Sequence, residues 1–77
     1  MGITEDALKK LNKKQLSYCK IASAIISDAT EKGSEISRTK EAGHLRGYLV
    51  CMRDMDILSE TEVKQLYAYF FLTNRLR

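Results

Sequence analysis

The chain has 77 residues, no proline, two cysteines and a formal net charge of +3. Residues of high helix propensity dominate it, and no stretch alternates between apolar and polar residues over the length of a strand. This composition predicts one all-α domain over residues 1–77. It excludes a disulfide-rich fold, and it excludes a membrane-spanning protein because no apolar run approaches the roughly 18 residues that a span needs.

The first predicted helix covers about residues 4–32. Its apolar residues recur at alternating spacings of three and four, which is the pattern of a helix with one core-facing side. Gly33 follows, where a left-handed C-cap is expected. Asn12 and Gln15 also form a capping pair, so a break near residues 10–12 stays open beside the favoured continuous helix. The predicted core stripe consists of Leu8, Leu11, Tyr18, Ala22, Ile25 and Ala29, widened by Cys19 and Ile26.

Positive charge is concentrated in this first helix. Residues 1–20 contain five lysines and two acidic residues, whereas the rest of the chain carries eight basic and eight acidic residues. A lysine face of this kind either stays in solvent or contacts the phosphates of a nucleic acid, and the absence of interleaved aromatic residues favours the solvated face. The candidate phosphate contacts are Lys9, Lys10, Lys13, Lys14 and Lys20.

The second predicted helix begins between Ser34 and Thr39 and ends near Asp54. Its core stripe is Ala42, Leu45, Leu49 and Met52. Gly43 and Gly47 lie together on another side, and each costs about 1 kcal/mol relative to alanine inside a helix. They indicate a face that another helix backbone approaches closely, either from this chain or from a second copy, and this interpretation is favoured over a frayed helix or a bend at the glycines.

Three arginines follow one side of the second helix, next to its apolar stripe. They are Arg38, Arg46 and Arg53. Such a row is either a ridge that binds an anion or a partner protein, or a solvated face whose arginine stems cover apolar neighbours. The solvated face is the commoner case and is favoured here.

The third predicted helix begins at Ser59. Ser59 and Glu62 form a capping box, and Leu58 and Val63 occupy the positions of a hydrophobic staple. Its inward face is Val63, Leu66, Tyr67, Phe70 and Phe71. Two other helices can hardly enclose so apolar a helix, so we expect the residues on its remaining sides to form a protein interface. These interface residues are Tyr69, Leu72 and Leu76. Short joints predict an up-down-up arrangement of three helices.

No set of residues supports catalysis or metal binding. His44 and Cys51 lie two helical turns apart, about 10 Å along the axis, which is too far to share one metal ion. Cys19 is the only other soft ligand, and no glycine-rich phosphate loop or paired carboxylates are present. We therefore expect neither an enzyme nor a bound cofactor. Because no secretory leader precedes Thr4, we expect a cytoplasmic protein with reduced thiols.

Residues 46–70 join an Arg-Gly-Tyr-Leu helix, a turn and a helix with a Ser-x-x-Glu cap. The pattern consists of Gly47-Tyr48-Leu49, Met52, Ile57-Leu58-Ser59-Glu60-Thr61-Glu62 and Leu66-Tyr67. It resembles short uncharacterised helical proteins of Gram-positive bacteria, their phages and mobile elements, although Arg75-Leu76-Arg77 stands where such proteins end in acidic residues. The resemblance implies a small accessory or regulatory protein without known catalysis.

The sequence thus predicts a non-enzymatic interaction module or small regulator that acts through apolar helix faces as a homodimer. A domain of this size buries only about 60% of its unfolded surface, and without disulfides or metal its remaining means of stabilisation is oligomerisation. The alternative is a nucleic-acid-binding accessory protein that uses the lysines of the first helix.

Overall fold

The computed structural model describes residues 2–73 of the chain, and the side chains of residues 2–71. This described part is all-helical, with no strand, and contains the four helices α1 (Ile3–Lys9), α2 (Lys13–Glu31), α3 (Glu35–Asp54) and α4 (Glu60–Thr73). The all-α class is therefore confirmed. The arrangement of three helices is wrong, because the first predicted helix is two helices. Among the described helices, none has both the length and the hydropathy that crossing a bilayer requires.

The chain breaks between α1 and α2 because Asn12 caps α2. The Asn12 side chain accepts a hydrogen bond from the backbone N–H of Gln15 at 2.8 Å, and the Gln15 side chain accepts one from the N–H of Asn12 at 2.9 Å. This capping box satisfies two of the amide groups that a new helix start leaves without partners. Leu11 is buried beside the break, so α1 turns toward the core. The break near residues 10–12 is confirmed, and the continuous helix is wrong.

The two ends of α3 are joined to α2 and α4 by the same hydrogen-bond pattern. After α2, the N–H of Ser34 donates to the carbonyl five residues before it at 2.9 Å, and Gly33 has a φ of 72°. After α3, the N–H of Ile57 donates to the carbonyl five residues before it at 2.9 Å, and Asp56 has a φ of 61°. A left-handed residue at this position ends a helix and lets the chain reverse within a few residues. The predicted C-cap at Gly33 is confirmed.

The start of α4 is held by Ser59 and Glu62. The N–H of Glu62 donates to Ser59 Oγ at 3.1 Å, and the N–H of Ser59 donates to Glu62 Oε1 at 2.8 Å. The other carboxylate oxygen, Glu62 Oε2, lies 2.7 Å from Lys10 Nζ, at the C-cap of α1. Hydrogen bonds from Lys10 and from the Ser59 amide lower the pKa of Glu62 from its ordinary 4.5. The predicted capping box is confirmed, and Leu58 and Val63 are buried beside it.

The core lies between α2, α3 and α4, and α1 covers a further side of α4. The contact between α2 and α3 is the most extensive, and α4 contacts each of the other three helices. The hydroxyl of Thr4 lies 3.3 Å from Gln65 Oε1, so α1 runs beside α4. The largest fully buried side chains are Ile26, Leu45, Leu49, Met52, Leu66 and Cys19. The core stripe predicted for α3 is confirmed.

The core-facing side of α2 differs from the predicted stripe. Ile25 was expected in the core and is 42% exposed, whereas Ser23 is buried. The Ser23 hydroxyl donates to the carbonyl of Phe70, so its burial leaves no polar group without a partner. Because α2 packs against both α3 and α4, its core side turns toward α4 and leaves Ile25 at the outer edge of the contact with α3.

We expect the double substitution Ser59→Ala and Glu62→Ala to lower the free energy of unfolding by about 1–2 kcal/mol. The variant loses both capping hydrogen bonds of α4 and the ion pair that ties Lys10 to it. Urea unfolding of the variant and the parent protein measures the difference. Thr61→Ala, at an exposed position of the same turn, is the control. An unchanged free energy in the double variant would show that this cap does not stabilise the fold.

The same carboxylate makes stability depend on pH. Folding lowers the pKa of Glu62, so its contribution is fully present above the ordinary value of 4.5 and is lost as the pH falls through the lower folded value. We expect the stability difference between the parent protein and Glu62→Gln to be constant near neutral pH and to shrink in acid. Urea unfolding of both proteins between pH 7 and about pH 3 tests this. A difference that does not change with pH would contradict the assignment.

Candidate interaction surfaces

Gly43 and Gly47 lie on the outer side of α3, in open space. Both are exposed, and a methyl group added at either position would meet no atom of the described chain within 4 Å. Of the alternatives for these glycines, close packing by another helix of the described chain does not occur, and α3 runs as one helix through both positions. The reason is that the neighbouring helices pack on the side of α3 that carries the buried Leu45 and Leu49. Approach by a second copy stays a prediction.

Two exposed isoleucines of α2 lie at the same level along the α2–α3 pair as these glycines, although Gly43 also lines a cleft on the α4 side of α3. The rings of Tyr18 and Tyr48 stack with centroids 4.2 Å apart, which sets the register between α2 and α3. Ile21 and Ile25 follow Tyr18 by about one and two turns, and the glycines precede Tyr48 along α3. Because the two helices are antiparallel, the isoleucines and the glycines lie in the same direction from the stacked rings along the helix axes. Ile21 is 57% exposed and Ile25 is 42% exposed.

We call this surface the hairpin face. It comprises Tyr18, Ile21, Ile25, Gly43, Gly47 and Tyr48. The sequence indicated the glycines, but it placed Ile25 in the core and did not single out Ile21. The available signal was the spacing of four between the two isoleucines, which puts both on one side of α2. Whether that side faces solvent depends on where α3 and α4 pack.

Tyr69 is the predicted α4 interface residue whose side chain the structure describes. It is 40% exposed, and its ring packs edge-on against Phe70 with centroids 5.1 Å apart. The side chain of Leu72 and the whole of Leu76 lie outside the described residues. The expected inward face of α4 is buried or half-buried. The expectation of an α4 interface assumed two neighbouring helices, whereas α1 supplies a third and reduces the apolar surface left open.

The five lysines do not share one helix face, because the break at residues 10–12 divides them between α1 and α2. Lys10 is paired with Glu62. The other four are exposed and make no ion pair with the residues that the structure describes: Lys9, Lys13, Lys14 and Lys20. These four side chains are open to solvent and to an anionic partner.

The three arginines of α3 lie along its contact with α4. Their spacings of eight and seven residues place them about 12 Å and 11 Å apart along the helix. Arg38 Nη2 is 2.8 Å from Glu35 Oε2, and Arg53 Nη1 is 2.6 Å from Glu60 Oε1. Arg46 is exposed and forms no ion pair within the described chain.

An open groove runs between α3 and α4 beside these arginines. It consists of two clefts, of about 300 Å³ and about 190 Å³, and Tyr67 lines both. The Phe71 ring lies 5.7 Å from the Tyr67 ring and 5.8 Å from the guanidinium carbon of Arg38. We call this surface the basic groove; its apolar lining is Ala42, Gly43, Val50, Val63, Tyr67 and Phe71, and Glu60 lines it beside the cations. The sequence indicated the arginines but not the aromatic wall, since the wall comes from a different helix.

The two cysteines are free thiols in different surroundings. Cys19 is buried, and burial raises its pKa to about 11, so the thiol stays protonated at neutral pH. Cys51 is exposed. His44 Nδ1 lies 3.8 Å from Glu41 Oε1 on the same helix. Within residues 2–71, no three His, Cys, Asp or Glu side chains are grouped so that they could hold a metal ion.

Comparison with protein family models, with characterised proteins and with solved structures found no match. The resemblance of residues 46–70 to short helical proteins of Gram-positive bacteria and their phages therefore stays a prediction. The hairpin face and the basic groove are the two surfaces on which the proposals below rest.

We expect Gly43→Ala and Gly47→Ala each to raise the free energy of unfolding by about 1 kcal/mol. Both positions are helical, and the added methyl group enters open space. Urea unfolding at low protein concentration measures the effect on the monomer. Gly33→Ala is the opposing control, because its φ of 72° strains an alanine and should destabilise the protein. Destabilisation by all three substitutions would mean that the fold itself requires the α3 glycines.

Proposed function

We propose that the protein is a non-enzymatic interaction module that self-associates as a homodimer through the hairpin face. The observation that carries this proposal is the pair of bare glycines on α3. Together they cost about 2 kcal/mol relative to alanine in a helix, and no atom of the described chain uses the space that they leave open. The backbone of a second molecule lying close against α3 would use that space.

The surroundings of the glycines support an interface. Ile21 and Ile25 provide exposed aliphatic surface on α2 at the same level. The exposed His44 lies between Tyr48 and the glycines around α3. Tyr18 and Tyr48 provide a half-buried aromatic pair, and tyrosine is a residue type that interfaces enrich. A helix that carries glycine at its contact can approach another more closely than the usual 8–10 Å between axes. The face thus offers both close approach and apolar area.

The hairpin face is the centre of a longer outer surface of α2 and α3. Its residues span about 10 Å along α2 and about 8 Å along α3. With 19 and 20 residues, the two helices side by side offer about 30 Å by 20 Å, or about 600 Å² on each protomer. An area of this size is the lower end of what specific interfaces bury, so a dimer would also cover polar residues that flank the hairpin face. Two identical faces related by a two-fold axis close on each other, so the expected assembly is a dimer and not a filament.

We expect Gly47→Leu to convert the dimer into a monomer, because the leucine side chain occupies the space of the second backbone. Size-exclusion chromatography with light scattering, from about 5 to 500 μM protein, measures the mass. Thr61→Leu adds the same side chain at an exposed position of α4 and should leave the mass unchanged. A parent protein that stays monomeric at the highest concentration would refute the homodimer.

The same measurement separates the hairpin face from the α4 interface predicted at Tyr69, Leu72 and Leu76. Tyr69→Glu places a charge on the exposed side of α4. A dimer through the hairpin face should survive this substitution. A dimer that survives Gly47→Leu but dissociates with Tyr69→Glu would place the contact on α4 instead.

A nucleic-acid-binding accessory protein is the second candidate, and the four exposed, unpaired lysines of α1 and α2 favour it. Contacts to phosphates make the affinity fall steeply as salt rises, whereas an apolar dimer contact is much less sensitive to salt. Binding to duplex DNA or RNA in a salt series therefore distinguishes the two functions. A steep salt dependence that disappears when these four lysines are changed to glutamine would favour the nucleic-acid function.

A further inference from the structure

We infer that the basic groove binds an acidic amphipathic helix of a partner protein. The inference adds a second surface to the proposed interaction module and does not depend on its self-association. It rests on the length of the groove, on its charges and on the way α1 is held on the other side of α4.

The groove has the length of a helix-binding surface. From Arg38 to Arg53, α3 extends about 22 Å. Two clefts follow this length, and Tyr67 lines both of them. A partner helix of about 15 residues laid between α3 and α4 would reach both clefts, as in the helix-in-groove mode of recognition.

The helix α1 shows how a short helix is held against α4. It buries Ala7 completely and, through Lys10 at its end, pairs with Glu62 of α4. Gln65, which contacts α1, and Tyr67, which lines the groove, point about 200° apart around α4. The groove is therefore a second lengthwise surface of α4, and no helix of the described chain covers it. In the α1 contact the lysine belongs to the short helix and the carboxylate to α4. In the groove the cations belong to α3 and α4, so the incoming helix would supply the carboxylates.

The cations of the groove are arranged to meet carboxylates of a helix. They are Arg38, Arg46, Arg53 and Lys64. Arg46 and Lys64 have no ion pair with the described residues and supply the unpaired positive charge of the groove. Arg38 and Arg53 already pair with Glu35 and Glu60 at 2.8 Å and 2.6 Å, so they offer a partner carboxylate only their remaining N–H groups. Spacings of eight and seven residues correspond to two helical turns, which carboxylates at heptad spacing match.

The apolar lining favours a helix of a protein over a nucleic acid. Aliphatic side chains of an amphipathic helix would cover the half-buried Val50, Tyr67 and Phe71 while its carboxylates reach the cations. A phosphate backbone would satisfy the cations but would leave this half-buried apolar surface in solvent. Burial of this apolar surface adds to the ion pairs, which alone are weak in solvent.

The test uses the full chain and a labelled synthetic helical peptide of about 15 residues, with leucines on one side and glutamates at heptad spacing beside them. The control peptide carries lysines in place of the glutamates. Fluorescence anisotropy should show saturable binding of the glutamate peptide with a Kd on the order of 10 μM. The lysine peptide should bind at least about tenfold more weakly, because it meets the arginines with like charge.

Variants of the chain locate the binding. Arg46→Glu should weaken the glutamate peptide at least about fivefold and strengthen the lysine peptide. Lys20→Glu makes a matched charge change at an exposed position of α2 and should alter either affinity by less than about twofold. Ile21→Ser changes the hairpin face on α2, away from the groove, and should bind the glutamate peptide like the parent protein, which keeps this result separate from the state of association.

Three outcomes would overturn the inference. The first is no saturable binding of the glutamate peptide up to about 200 μM. The second is an equal loss of affinity in Arg46→Glu and Lys20→Glu, which would show attraction by overall charge alone. The third is binding of duplex DNA, but not of the peptide, that Arg46→Glu abolishes, because this would assign the groove to a nucleic acid.

Discussion

The carboxylate of Glu62 holds two parts of this fold at once. One of its oxygens accepts from the backbone of Ser59 and caps α4, and the other pairs with Lys10 at the end of α1. With only seven residues, α1 is too short to be stable on its own, so it depends on packing and on this ion pair. Once α1 lies against α4, that helix contacts three neighbours. The outer side of α2 and α3 and the groove between α3 and α4 are then left open.

The helix α3 faces the core, the outer side and the groove with different sides. Leu45 and Leu49 lie in the core, Gly47 lies bare on the outer side, and Arg46 lines the groove beside α4. A helix of 20 residues can separate these sides because successive residues point about 100° apart. The outer side combines the two glycines with exposed residues such as His44 and Cys51, whereas the groove is cationic and aromatic. The two proposed surfaces would therefore suit partners of different chemistry.

The residues of both surfaces were partly visible in the sequence, but their surroundings were not. The two glycines and the three arginines stand out because glycine is costly in a helix and because the arginines share one side of it. Tyr67 and Phe71 line the basic groove from α4, and Ile21 joins the hairpin face from α2. A pattern within one helix cannot show which residues of another helix lie beside it, so the composition of each surface follows only from packing.

The sequence by itself determined where helices can begin and end. Asn12 with Gln15, Ser59 with Glu62, and Gly33 are local signals, because a cap is formed by residues only a few positions apart. The tertiary structure decided which of these cap signals interrupt a helix and which side of each helix is buried. It broke the first helix at Asn12 so that α1 covers α4, and it left Ile25 exposed while Ser23 is buried against Phe70. Burial depends on neighbours distant in the chain, and helical periodicity alone does not specify them.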